Sequence, residues 1–170
     1  MTAFEGHDAP FDAPVTLAAR QVPAEWIDYN GHMNVAYYTM AFDQALDDFL
    51  ENELGIGEAH AARVRQGPYA LQSHIHYLDE LLEGESFVIR VRMIDHDAKR
   101  MHLFAELFNT DDDRLAATCE QMLMNVDLET RRSTPYPDWA QARMADMLAA
   151  HKVLEVPAQL GAPLGIRRKG

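Results

Sequence analysis

The sequence predicts an α+β fold in which a curved antiparallel sheet wraps one long helix. Three features predict it: a single strong helical period in the first third of the chain, four consecutive runs of period two after it, and a hydrophobic content of 48%, enough to fill the space between them. At 170 residues with 25% charged side chains, the chain suits one domain and not a disordered composition. The expected division is an arm over residues 1–12, a domain over 13–152 and a C-terminal extension over 153–170.

The arm, MTAFEGHDAPFD, carries Gly, Pro and Asp without periodicity. VTLAARQVPAEW then alternates loosely and reads as a strand interrupted near Pro23, since proline cannot donate to a ladder. In VAYYTMAFDQALDDFLENELG the apolar Val35, Tyr38, Phe42, Ala45, Leu46, Phe49 and Leu50 recur at threes and fours, with Asp43, Gln44, Asp47, Asp48 and Glu51 between them. This is the long helix, with Asn34 a candidate N-cap and Gly55 a candidate stop. A connection follows to about Gly67.

The period then changes to two. YALQSHIHYLDEL, SFVIRVRMIDHD, MHLFAELFN and RLAATCEQMLMNVDL are strand-like, separated at Glu83-Gly84, at Lys99-Arg100 and at the triple aspartate 111–113. They are expected to form a four-stranded meander. DWAQARMADMLAAHK reads as an amphipathic helix with Asp138 as its candidate N-cap, and the tail as a loop or extended arm. The helix buries its stripe against the sheet; the sheet's remaining face and edges need cover, for which a second copy of the chain is the simplest source, as a homodimer or tetramer.

The formal charge of −12 speaks against nucleic acid and against anionic membranes, both of which need basic surface, and directs attention to cationic ligands. No apolar run is long enough to span a bilayer, and the acidic first residues do not resemble a signal peptide. The single Cys119 excludes an intramolecular disulfide. A cytoplasmic location is the expectation.

Chemistry concentrates in WIDYNGHMNVAYY, residues 26–38, where Asp28, Asn30, His32 and Asn34 alternate just before the helix. A helix start offers unpaired N–H groups and partial positive charge to a developing oxyanion, and a short turn can return Asp28 to that spot. The plainer alternative is an ordinary turn and cap. His74 and His76 share a strand face, and His102 and Glu106 could approach them, but polar sheet surface explains them as well as a metal does; no metal is expected.

The string DYNGHMNVAYY, with Asp28, Gly31, His32, Asn34 and Tyr38, followed by this helix and these strands, resembles the hotdog-fold acyl-CoA thioesterases of the 4-hydroxybenzoyl-CoA thioesterase type. Its Asp-x-Asn-x-His spacing is also similar to plant acyl-carrier-protein thioesterases. EWIDYNGHMN, SHIHYL, DHDAKRMHLF and EQMLMNVD resemble, more closely, the thioesterases of carnitine degradation. The resemblance implies a hotdog fold and hydrolysis of a small acyl-CoA, betainyl-CoA to glycine betaine and CoA, with no cofactor beyond that CoA. A thioesterase for short or medium fatty or aromatic acyl-CoA, a hydratase on the same fold, and a non-catalytic acyl-CoA binding module are the alternatives.

By that resemblance Asp28 is nucleophile or general base, the Val35 amide polarises the carbonyl, and Asn30 and His32 hold water or the thioester or orient Asp28. His32 packing the loop, and Asn34 simply capping the helix, are the competing readings. The candidate binding set is Trp26, Tyr29, Asn34, Tyr38, Tyr69, Lys99 and Arg100, the last two toward CoA phosphates unless they are a solvated hairpin. For a betaine acyl group, at least two of the aromatics Trp26, Tyr29, Tyr37, Tyr69 and Tyr77 should line the pocket with a carboxylate in reach.

Overall fold

The structure, a computed structural model, describes residues 10–168. The long helix α1 runs Val35–Phe49 and turns its buried Tyr38, Ala41, Phe42, Ala45 and Phe49 to the sheet. Asn34 caps it as expected, its Oδ1 accepting the Ala36 N–H at 2.9 Å. One π-helical turn, Leu50–Leu54, extends it, and Gly55 ends it at φ 70°, the left-handed conformation that glycine adopts without strain. The connection expected before Gly67 instead holds a short helix, α2, Glu58–Val64. Its alanines and arginine favour helix, but seven residues give too little periodicity to stand out.

The strand expected over 15–26 is two short pieces, β1 (Val15–Thr16) and β2 (Arg20–Gln21), followed by a 3₁₀ turn at Ala24–Trp26. Both pieces pair with β4 (Ser86–His96). The other long strands are β3 (Gln66–Tyr77), β5 (Arg100–Asn109) and β6 (Leu115–Asp127), with a two-residue β7 (Arg132–Ser133). All pairings are antiparallel, and the sheet order is β1-β4-β5-β6-β3.

That order corrects the meander. β4, β5 and β6 follow one another, but β3 lies beyond β6 and does not pair with β4. The reason lies in residues 78–85, which look like a hairpin turn at Glu83-Gly84. Leu81 within them is fully buried, which a tight exposed turn cannot provide. The segment instead crosses the end of the sheet. Leu78 and Asp79 N–H both donate to Ala116 O, and Gly84 N–H donates to Val22 O on the far side. Arg114 clamps it to the β5–β6 turn through Asp79 at 3.1 Å, Asp112 at 3.3 Å and Glu85 at 3.5 Å.

The last helix, α3 (Asp138–His151), packs against β4 and the 50–54 turn. Asp138 is its first residue and not its cap; Pro137 occupies that position without a side-chain bond. His151 pins the helix end, its Nδ1 accepting the Met93 N–H and its Nε2–H donating to Asp12 O, both at 2.8 Å. Of the expected arm, residues 1–9 lie outside the described residues, while Phe11 is buried in the core. The C-terminal segment is likewise no free arm. Arg92 Nη1 donates to Glu155 O at 2.6 Å and Gly161 N–H to Glu120 Oε2 at 2.7 Å, so it lies across the sheet face opposite α1. Beneath it Phe104, on that outer face, is 0% exposed.

Candidate active site

The loop before α1 is a chain of local bonds. Gly31 N–H donates to Asp28 O at 2.9 Å and Asp28 N–H to His32 O at 3.1 Å, a tight turn that needs Gly31 at φ 82°. Asn30 N–H closes on Asp28 Oδ1 at 2.8 Å. Asp28 Oδ2 accepts from Asn34 Nδ2 at 3.2 Å, the same side chain whose oxygen caps the helix. The turn thus returns the half-buried Asp28 carboxylate to the helix start.

The cap leaves one donor over. Ala36 N–H is taken by Asn34 Oδ1 and Tyr37 N–H by Asn34 O at 2.9 Å, while among the described residues nothing accepts the Val35 N–H. Val35 is 54% exposed, so this amide stands at the electropositive end of a 15-residue helix with room in front of it.

In front of it lies a cleft of about 240 Å³, walled by His32, Met33, Val35, Tyr38, Tyr77, Leu78, Asp79 and Glu80. The crossing segment builds its far wall. Met33 N–H donates to Leu81 O at 2.8 Å, Leu81 N–H to Tyr38 Oη at 3.1 Å, and Tyr38 O–H to Asp79 O at 3.4 Å. Burial pushes the Tyr38 phenol up to about 12, with Asp79 and Glu80 adding to the rise, so it stays protonated and serves as a tether. His32 is half-buried; its Nδ1–H donates to Met33 O at 3.2 Å, which leaves Nε2 as an acceptor in the neutral ring.

Asp28, Asn30 and Asn34 gather at the helix start but do not wall the cleft within one protomer. Tyr38 does. Trp26 is buried and stacked on Tyr37, centroids 5.3 Å apart at 8°, and belongs to the core. Tyr29 is 96% exposed. Tyr69 pairs with Met124 near the start of β3, eight residues and about 26 Å along the strand from Tyr77. Its Oη accepts from Arg131 at 2.8 Å. Lys99 and Arg100 share that far end of the sheet, Arg100 held by Asp97 at 2.8 Å through its Nε and Lys99 reaching Ser133 Oγ at 3.4 Å. Of the five aromatics proposed for an acyl pocket, Tyr77 alone lines the cleft; Tyr38 is the second ring there, edge-on to it at 5.4 Å.

Asp79 and Glu80 are cleft residues that sequence reasoning missed. They read as the end of a strand, and only the crossing of residues 78–85 carries them to His32 and Val35, more than forty positions earlier. The four side chains weighed as metal ligands are engaged otherwise. His102 Nε2 meets Glu120 at 2.8 Å, Glu106 meets Arg92 at 2.8 Å, and His74 and His76 lie against each other. No group of three or more such ligands comes together among the described residues. Burial pushes the Cys119 thiol up to about 12, which leaves it no nucleophile.

Comparison with known proteins agrees with this architecture. Residues 22–144 match the thioesterase-like superfamily. The chain is 32% identical to the betainyl-CoA thioesterase of Pseudomonas aeruginosa over 89% of its own length and 95% of that protein's. It is 29% identical to the L-carnitine dehydrogenase/betainyl-CoA thioesterase of Rhizobium meliloti over 91% of its length, and there spans 31% of the longer protein. A Staphylococcus aureus protein solved in complex with CoA superposes at a TM-score of 0.85 with 30% identity, covering 95% of this chain and all of that one. The chain belongs to the thioesterase-like superfamily: its sheet-wrapped helix is the hotdog fold, and it is a thioester hydrolase.

Proposed function

We propose that the chain hydrolyses betainyl-CoA to glycine betaine and CoA, at a site completed by a second copy of the chain. One observation carries the chemistry: the unaccepted Val35 N–H at the positive end of α1, beside an Asp28 carboxylate that Asn34 ties to the same turn. A thioester oxygen bonded to Val35 N–H gains stabilisation as negative charge grows on it. Asp28 takes the proton from an attacking water, or itself attacks the carbonyl carbon to give an anhydride that water opens. In either route the C–S bond breaks and the CoA thiolate takes up a proton. The acyl group is supported by relatives whose names carry betainyl-CoA, the two described above among them.

The second copy is supported by the edge of the sheet. Among the described residues no strand lies on the outer side of the twelve-residue β3, which exposes Tyr69, Leu71 and Tyr77. So long an open edge invites a partner. Twofold antiparallel pairing about its middle sets the Gln66–Tyr69 end of one strand beside the His74–Tyr77 end of the other. Tyr69, Lys99 and Arg100 of the partner subunit then approach this protomer's cleft, in keeping with roles in holding substrate.

The test is thiol release from a panel of betainyl-, butyryl-, octanoyl- and benzoyl-CoA, with mass by light scattering. Betainyl-CoA is expected to give the highest kcat/KM, on a dimer or a multiple of it. Asp28→Asn is expected to cost about 10²–10⁴-fold in kcat while retaining acyl-CoA binding. Faster turnover of a fatty or aromatic member overturns the acyl assignment, and a monomer with full activity overturns the composite site.

A further inference from the structure

We propose that the cleft at the head of α1 selects for positive charge on the acyl group, with Tyr77 and Glu80 as its specificity-determining residues. The inference rests on the thioesterase reading above, and goes further in saying which side chains read the substrate.

A carbonyl at the Val35 amide sends the acyl substituent along the cleft, and the wall facing that amide is built from Tyr77, Leu78, Asp79 and Glu80. Two carboxylates there suit a fatty chain poorly, because methylenes would strip their water without pairing their charge. They suit a methylated ammonium, which is weakly hydrated and spreads its charge over carbon. The two carboxylates are not equivalent. Arg114 holds Asp79 at 3.1 Å while sharing its charge with Asp112 and Glu85, whereas no described side chain pairs with Glu80. Glu80 is thus the unpaired carboxylate of the cleft.

Tyr77 supplies the aromatic element. It is 49% exposed, and its ring stands edge-on to the buried Tyr38 at 82°, which fixes its orientation while leaving part of it open to the cleft. An aromatic face beside a carboxylate is the chemistry that recognises quaternary ammonium. The electrostatics agree, since Asp79 and Glu80 both raise the Tyr38 phenol and so bring negative potential to the cleft floor. The volume, about 240 Å³, falls below the range of drug-sized pockets and fits a short acyl group.

The experiment compares two thioesters of equal shape: betainyl-CoA and 3,3-dimethylbutanoyl-CoA, in which a neutral tert-butyl group replaces trimethylammonium. The readout is the ratio of their kcat/KM values. The wild-type protein is expected to favour the cation at least tenfold. Glu80→Gln and Tyr77→Leu should each lower the ratio about five- to tenfold, and Glu80→Lys should invert the preference. Both positions are exposed, and retention of fold is checked by thermal melting. A wild-type ratio near one, or a Glu80→Gln ratio equal to wild type, overturns the cation pocket and leaves thioester hydrolysis standing. No thiol release from either compound overturns both.

Discussion

Asp28 and Asn34 share one hydrogen bond, Nδ2 to Oδ2 at 3.2 Å, and through it the carboxylate is joined to the N-cap of α1. Asn34 does both tasks because its amide carries the donor and the acceptor on separate atoms, Nδ2–H toward Asp28 and Oδ1 toward Ala36 N–H. Asn34→Asp keeps a cap oxygen but sets a second carboxylate against the first. It is expected to hold stability within about 0.5 kcal/mol of wild type, since Asp caps as well as Asn, while kcat falls tenfold or more. Asn34→Ala should cost about 1 kcal/mol and a similar share of rate. Urea unfolding and thiol-release assays measure the two effects separately.

The Tyr38 hydroxyl holds the crossing segment and has no acid–base work at ordinary pH. Tyr38→Phe leaves the buried Leu81 N–H without an acceptor, at about 1–3 kcal/mol. Because burial holds the phenol near 12, the wild-type rate should show no step from its ionisation between pH 8 and 10, the range where an ordinary tyrosine begins to titrate. A pH–rate profile of the wild type, set beside that of the variant, checks this.

His151 makes stability depend on pH in a stated direction. Burial lowers its pKa from 6.5, and its bonds to Met93 and Asp12 require the neutral ring. Below about 6.5 the unfolded chain binds a proton that the folded one resists, so the contribution is present above that value and is lost as pH falls. Between pH 7.5 and 5.5 the wild-type Tm should therefore fall further than that of His151→Gln, which can still accept from Met93 but does not titrate. Equal slopes in the two proteins would falsify the assignment.

The C-terminal segment is part of the folded unit. Removing residues 153–170 uncovers Phe104 and frees Arg92 and Glu120 from their backbone partners. Exposing one large aromatic costs about 1.5–3 kcal/mol, which corresponds to roughly 5–10 °C in a domain of this size. Calorimetry of the truncated chain measures it. The same segment lines a cavity with Tyr77 and Leu78, which also wall the cleft, so KM is expected to rise along with the loss in Tm.

Much was legible along the chain because it depends on near neighbours. The period of α1, the Asn34 cap, the Gly55 stop and the alternation in β3 to β6 each follow from residues within a turn or a pleat of one another. The Asp28 turn belongs with them, since six residues separate its carboxylate from the side chain that holds it. Sequence alone therefore determined α1, the four long strands, α3 and the turn at the head of α1, but not the short α2 or the break in the strand expected over 15–26. Only the tertiary structure decided that β3 stands beyond β6, that residues 78–85 bring Asp79 and Glu80 to His32, that Trp26 goes to the core, and that Tyr69, Lys99 and Arg100 sit at the far end. Those placements join residues tens of positions apart, and they are chosen by which apolar faces can be buried together, a property of the whole sheet and helix and of no single stretch.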